Sequence, residues 1–79
     1  MRLDKFLKVS RLIKRRTVAN EACDAGRVQA NGRVVKASYE VKPGDELTIG
    51  FGNREVRVRV KDTREVIRKE DAETMFEYL

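Results

Sequence analysis

Seventy-nine residues leave room for one domain with a thin core, and a chain that is 39% charged and 41% hydrophobic is neither a disordered tail nor a membrane-embedded protein. With no histidine and a single cysteine, the common zinc spacings and an internal disulfide are excluded as well. The net charge of +5 is split unevenly: residues 1–36 carry ten Lys/Arg against three Asp/Glu (+7), and residues 37–79 carry eight against ten (−2). That asymmetry is the electrostatic footprint of a polyanion partner.

The chain opens on a helical pattern. Leu3, Phe6 and Leu7 share one face of a helix expected from about Arg2 to Arg11. Lys5, Lys8 and Arg11 share the opposite face, Arg2 sits on the flank, and Asp4 is the one acid among them. No apolar signal-peptide core and no run of ~20 apolar residues is present, so no membrane is expected as a partner, and a cytoplasmic location is.

A break follows at Lys14-Arg15-Arg16. Thr17 then reads as the N-cap of a second helix, Val18 to Ala25, closed by Gly26. Asn20 stands where a capping box would carry Glu or Gln. Val18, Ala19, Ala22, Cys23 and Ala25 form a small-residue face for close packing, and Cys23 reads as a small buried residue on it.

After Gly26 the period changes to two. Residues 27–30 and 33–36 flank Asn31-Gly32, the pair that best suits a type I′ hairpin turn. Lys42-Pro43-Gly44-Asp45 is a second turn. Leu47, Ile49 and Phe51 alternate in a strand, Gly52-Asn53 reverses the chain, and Val56, Val58 and Val60 alternate in another. At the end, Ala72, Met75, Phe76 and Leu79 fit a short C-terminal helix with Glu70, Asp71, Glu73 and Glu77 facing outward. The expected fold class is α+β: two N-terminal helices on a small, mostly antiparallel sheet, with a short C-terminal helix.

The inventory offers little for catalysis. No nucleophile–base pair suggests itself, and Gly50-Phe51-Gly52 lies between strands with no helix after it, unlike a phosphate-binding glycine loop. An enzyme is not expected, nor is a cofactor or a metal. The positive signal is Arg11 to Arg16, where Lys14, Arg15 and Arg16 crowd a helix N-terminus. Cations there oppose the helix dipole by a few tenths of a kcal/mol each, up to ~1. The same place offers free N–H groups, the positive dipole end and bidentate guanidinium forks to a phosphate. Phe6, Phe51 and Phe76 fall in apolar registers, so core packing is expected of them and a base-stacking platform is not. Few stacking groups beside many cations fit the shape of folded RNA, although charge alone does not separate it from duplex DNA.

Taken in order, Arg2-Leu3-Asp4-Lys5-Phe6-Leu7, Ser10-Arg11, Arg16-Thr17-Val18-Ala19, residues 26–32 and Val41-Lys42-Pro43-Gly44-Asp45 resemble the RNA-binding domain of the S-four type, over roughly residues 1–51. In that family two helices and the following hairpin form the RNA surface. Within it the chain looks more like the ribosome-associated quality control branch than the heat-shock-fifteen branch, whose C-terminal extension is longer and basic. The resemblance implies binding to obstructed large subunits that hold a peptidyl-tRNA. The partners it implies are large-subunit ribosomal RNA, the tRNA held there, and a factor that delivers alanyl-tRNA so that alanine tails are added to stalled chains. The family's key basic positions match Arg2 and Arg16. Together the two lines of reading give Arg2, Lys5, Lys8, Arg11, Lys14, Arg15, Arg16, Arg27, Arg33 and Lys36 as RNA-binding candidates. One domain is expected over 1–79, with a motif core at 1–51 and a C-terminal strand and helix at 52–79, acting as a monomer. The alternatives are a heat-shock-fifteen-like recycling role without tailing, a general ribosomal or transfer RNA-binding module, an appendage that delivers a modifying enzyme to RNA, and a protein-interaction module.

Overall fold

The computed structural model describes residues 1–63 and 69–79. Two helices, α1 (Leu3–Val9) and α2 (Arg16–Asp24), precede a five-stranded sheet. Its strands are β1 (Val28–Ala30), β2 (Arg33–Val34), β3 (Glu46–Phe51), β4 (Arg54–Val60) and β5 (Phe76–Tyr78). All neighbours are antiparallel, in the order β2-β1-β3-β4-β5.

The α1 periodicity holds in space. Leu3, Phe6 and Leu7 are fully buried and join Ala19 and Cys23 of α2 with Val28, Leu47, Ile49 and Val58 of the sheet. Each such side chain contributes roughly 1.5–3 kcal/mol relative to exposure, so this cluster fixes the two helices on the sheet. Of the expected small-residue face of α2, Val18 is 47% exposed and Ala25 is exposed too; they sit beside the contact stripe rather than on it. Thr17 is not the N-cap. The helix starts two residues earlier than expected, at Arg16, with Arg15 in the cap position and no side-chain cap bond. Its other end agrees with the sequence. Gly26 has φ +80°, its N–H bonds the Cys23 carbonyl at 3.0 Å, and the Arg27 N–H bonds that of Ala22 at 3.0 Å, a Schellman motif.

The Asn31-Gly32 turn is type I′, as its pairing of Ala30 with Arg33 requires, with φ +54° and +83°. Nothing lies within 4 Å of a Cβ placed on Gly32, so a substitution there meets strain in the backbone alone. Gly32→Val should therefore destabilise the fold by ~1 kcal/mol or more, a fall of at least about 4–8 °C in Tm. Arg33→Ala, at an exposed site, should stay within about 0.5 kcal/mol. Equal melting curves for the two variants would contradict the turn.

Two expectations are corrected here. Phe51 is 39% exposed at the last position of β3, not core. The C-terminal helix is a 3₁₀ segment, Lys69–Met75, followed by the strand β5. Ala72, Met75 and Phe76 are buried as their spacing suggests, but Leu79 is 51% exposed. Phe76 and Tyr78, however, alternate about Glu77 with a period of two. The open edge of β4 offers a ladder, in which Val60 pairs with Phe76 and Val58 with Tyr78, and aromatic residues favour that outcome. Glu70 and Glu77 are exposed and Asp71 partly so; the side chain of Glu73 lies outside the described residues. Among the described residues, no helix is long and apolar enough to cross a membrane.

Candidate RNA interface

The site is organised by Asp4, the one acid among the cations of α1. Asp4 is 2% exposed and accepts from several donors. Arg2 reaches it with two nitrogens, Nε to Oδ1 at 3.2 Å and Nη2 to Oδ2 at 3.3 Å. Arg16 Nη2 lies 3.5 Å from Oδ1. Asn20 Nδ2 donates to Oδ2 at 3.2 Å, and the Lys5 N–H donates to Oδ1 at 2.8 Å. Burial by itself would raise this carboxyl. The Asn20 amide, Arg2, the Lys5 N–H and the Arg16 charge outweigh burial and hold it below its ordinary value.

One buried carboxylate thus brings together an arginine that precedes α1 and the first residue of α2. Each arginine side chain remains about half exposed, at 49% and 48%, with guanidinium donors to spare. Two forks held side by side are suited to a phosphate diester, and the first turn of α2 adds N–H groups that no side chain caps.

The N-terminal strand-like pairing also positions Arg2. Leu3 N–H bonds the Tyr39 carbonyl at 2.8 Å, Val41 N–H bonds the Met1 carbonyl at 2.9 Å, and Arg2 bridges Glu40. Tyr39 is itself tied down, its hydroxyl donating to Asp45 at 2.9 Å. Asp45 also accepts from Asn31 Nδ2 at 3.2 Å and from the Lys42 N–H at 3.0 Å, so the hairpin tip, the Pro43-Gly44 turn and the segment clasping Arg2 share one carboxylate.

Of the other candidates, Lys8, Arg11, Lys14, Arg15, Arg27, Arg33 and Lys36 are exposed and Lys5 is partly buried. Lys5 and Lys8 lie on α1, and Lys14 and Arg15 lie in the connector to α2. Arg11 has φ +65° directly after Ser10 closes α1, a left-handed position that glycine fills more cheaply. Arg33, on the edge strand β2, pairs with buried Ala30 and so projects on the helix side of the sheet; Lys36 follows that strand and Arg27 precedes β1. The structure joins Arg2 and Arg16 through Asp4. Among the described residues it shows no side-chain contact that links Arg27, Arg33 or Lys36 to that pair.

Asp4 and Asn20 are the members of this cluster that the sequence did not single out. A lone acid two positions from one arginine and on the inner flank of its helix was the available signal for Asp4; Asn20, sixteen residues away, had none. Cys23 behaves as expected: it is 1% exposed, and burial, with Asp4 and Asp24 nearby, pushes its thiol up to about 11, leaving it protonated and unreactive. Among the described residues no cluster of His, Cys, Asp or Glu could hold a metal.

The sequence and the fold match known proteins. The S4 domain matches residues 1–47. The chain is 58% identical over 77 residues to the RQC P-site tRNA stabilizing factor of Halalkalibacterium halodurans, covering 98% of this chain and 88% of that one. It is 57% identical over 79 residues to the factor of that name from Bacillus subtilis, covering 100% and 92%. In three dimensions it is similar to heat shock protein 15 of Vibrio cholerae, solved as a trimer, with a TM-score of 0.92 at 28% identity, covering 100% of this chain and 81% of that one.

Proposed function

The chain belongs to the S4-domain family and, within it, to the RQC P-site tRNA stabilizing factors, and we propose that its arginine pair grips RNA backbone to hold a tRNA on an obstructed large ribosomal subunit. It acts in ribosome-associated quality control. The observation that carries the proposal is the Arg2–Asp4–Arg16 cluster, in a chain that follows these factors over nearly its whole length.

In this reading residues 1–79 work as one RNA-binding unit and as a monomer. Cations on the helices and the hairpin neutralise phosphates of ribosomal RNA and tRNA, and the ribosome supplies the peptide-transfer chemistry. Bridging two RNAs raises the effective concentration of one beside the other, so modest contacts retain a tRNA. A longer-lived complex gives a partner factor time to deliver alanyl-tRNA repeatedly, and alanine tails grow on the stalled chain.

The experiment is a non-stop reporter expressed with and without the protein, its C-terminal tails read by mass spectrometry. Deletion should abolish tails while ordinary translation continues. Full-length tails in its absence would overturn the tailing role and favour the recycling role of the heat-shock-fifteen branch.

A further inference from the structure

A shallow cleft opens between α1 and α2 beside the arginine pair, lined by Asp4, Arg16, Thr17, Asn20 and Glu21. Its chemistry differs from that of the surface around it. Asn20 spends its amide nitrogen on Asp4, so its Oδ1 is left as an acceptor. Glu21 is exposed, and among the described residues its carboxylate has neither an ion pair nor a hydrogen bond. Thr17 is exposed too, and its hydroxyl caps nothing. Thr17 and Glu21 stand four residues apart on α2, as do Arg16 and Asn20, so two adjacent rows place acceptors next to a guanidinium.

A carboxylate on the most cationic face of an RNA-binding chain works against the binding of phosphate. Its presence is accounted for if the ligand brings a hydrogen-bond donor to that spot. The group next to a phosphate along a nucleic-acid backbone is the sugar, and only ribose carries a donor there, the 2′-hydroxyl. We propose that Thr17, Asn20 and Glu21 form a ribose subsite that accepts the hydrogen of an RNA 2′-hydroxyl while Arg2 and Arg16 hold the neighbouring phosphate. The subsite makes the chain selective for RNA over DNA, a choice that charge alone leaves open. It rests on the reading of Arg2 and Arg16 as a phosphate grip.

The probe is a synthetic tRNA acceptor-stem hairpin, made once with ribose and once with 2′-fluoro sugars throughout. Fluorine preserves the A-form helix but removes the donor. The full chain should bind the ribose hairpin about five- to ten-fold more tightly, the worth of one or two hydrogen bonds. In Thr17→Val/Glu21→Ala, which keeps the Asn20 acceptor, that ratio should fall by about two-fold or more. Because the variant also loses a negative charge, it should bind the fluorinated hairpin at least as well as the unaltered chain does. Equal affinity of the unaltered chain for both hairpins overturns the subsite, and so does a preference that is undiminished in the variant, which would place recognition of the 2′-hydroxyl at other residues. Failure of the phosphate-grip reading looks different: neither hairpin is bound in a salt-dependent way, and large subunits do not retain the chain.

Discussion

Asp4→Ala is expected to lower Tm by roughly 10 °C at neutral pH and to weaken RNA binding at the same time. The carboxylate is almost fully buried and takes hydrogen bonds from Arg2, Asn20 and the Lys5 N–H, with Arg16 beside it. Removing it leaves the Lys5 N–H and the Asn20 amide short of a partner and two arginines repelling each other. The arginines are half exposed, so water screens part of that loss, and a cost of about 2 kcal/mol is the reasonable scale. For a domain of this size each kcal/mol moves Tm by roughly 4–8 °C. The pH dependence has a definite sign. Folding depresses this carboxyl, so its stabilisation is in place above its ordinary value of 3.8 and is lost as pH falls through the lower folded value. Asp4→Asn should therefore be less stable than the unaltered chain at pH 7 and should close the gap in acid. Melting curves at pH 7 and below pH 4 decide it, and an unchanged Tm at pH 7 would remove Asp4 from the centre of the site.

Arg2→Ala and Arg16→Ala should each weaken association with large subunits by about ten-fold or more, since a charge-assisted contact contributes roughly 1.5–3 kcal/mol. If about five phosphates are neutralised, log affinity against log salt should have a slope near −3 to −5 for the unaltered chain. Each single variant should make that slope shallower by about one. Stability should change little in the single variants, because either arginine can still balance Asp4. The double variant differs: it leaves a buried carboxylate with only neutral donors, so it should lose stability as well as binding. Co-sedimentation across a salt series, with melts of the same samples, measures both. Undiminished retention of the double variant would refute the grip.

Much of the fold can be read from the chain because its local signals agree with its packing. Leu3, Phe6 and Leu7, the Asn31-Gly32 turn and the alternating valines of β4 each allow one solution, and the structure takes it. The readings that failed share a cause. Thr17 makes a good cap by residue type, but the helix starts at Arg16, where Arg16 and Asn20 sit one turn apart and both reach Asp4. Residues 72–79 support two periods, and only the unpaired edge of β4, which no local window contains, selects the strand. The site followed the same pattern. Its cations were evident from charge, whereas the contacts that gather them run from Asp4 to Asn20 and from Leu3 to Tyr39, separations that sequence spacing does not encode.

Those separations also set an order of events while the chain is being made. Arg2 emerges from the exit tunnel among the first residues, yet its place is defined by Asn20 through Asp4 and by carbonyl and amide groups at residues 37–41. Until that middle stretch has cleared the tunnel, the nascent chain displays a run of loose positive charge with no geometry. A protein that services ribosomes therefore leaves its own ribosome with its cations exposed early and their arrangement completed late, only after residues 37–41 have paired with the N-terminal residues.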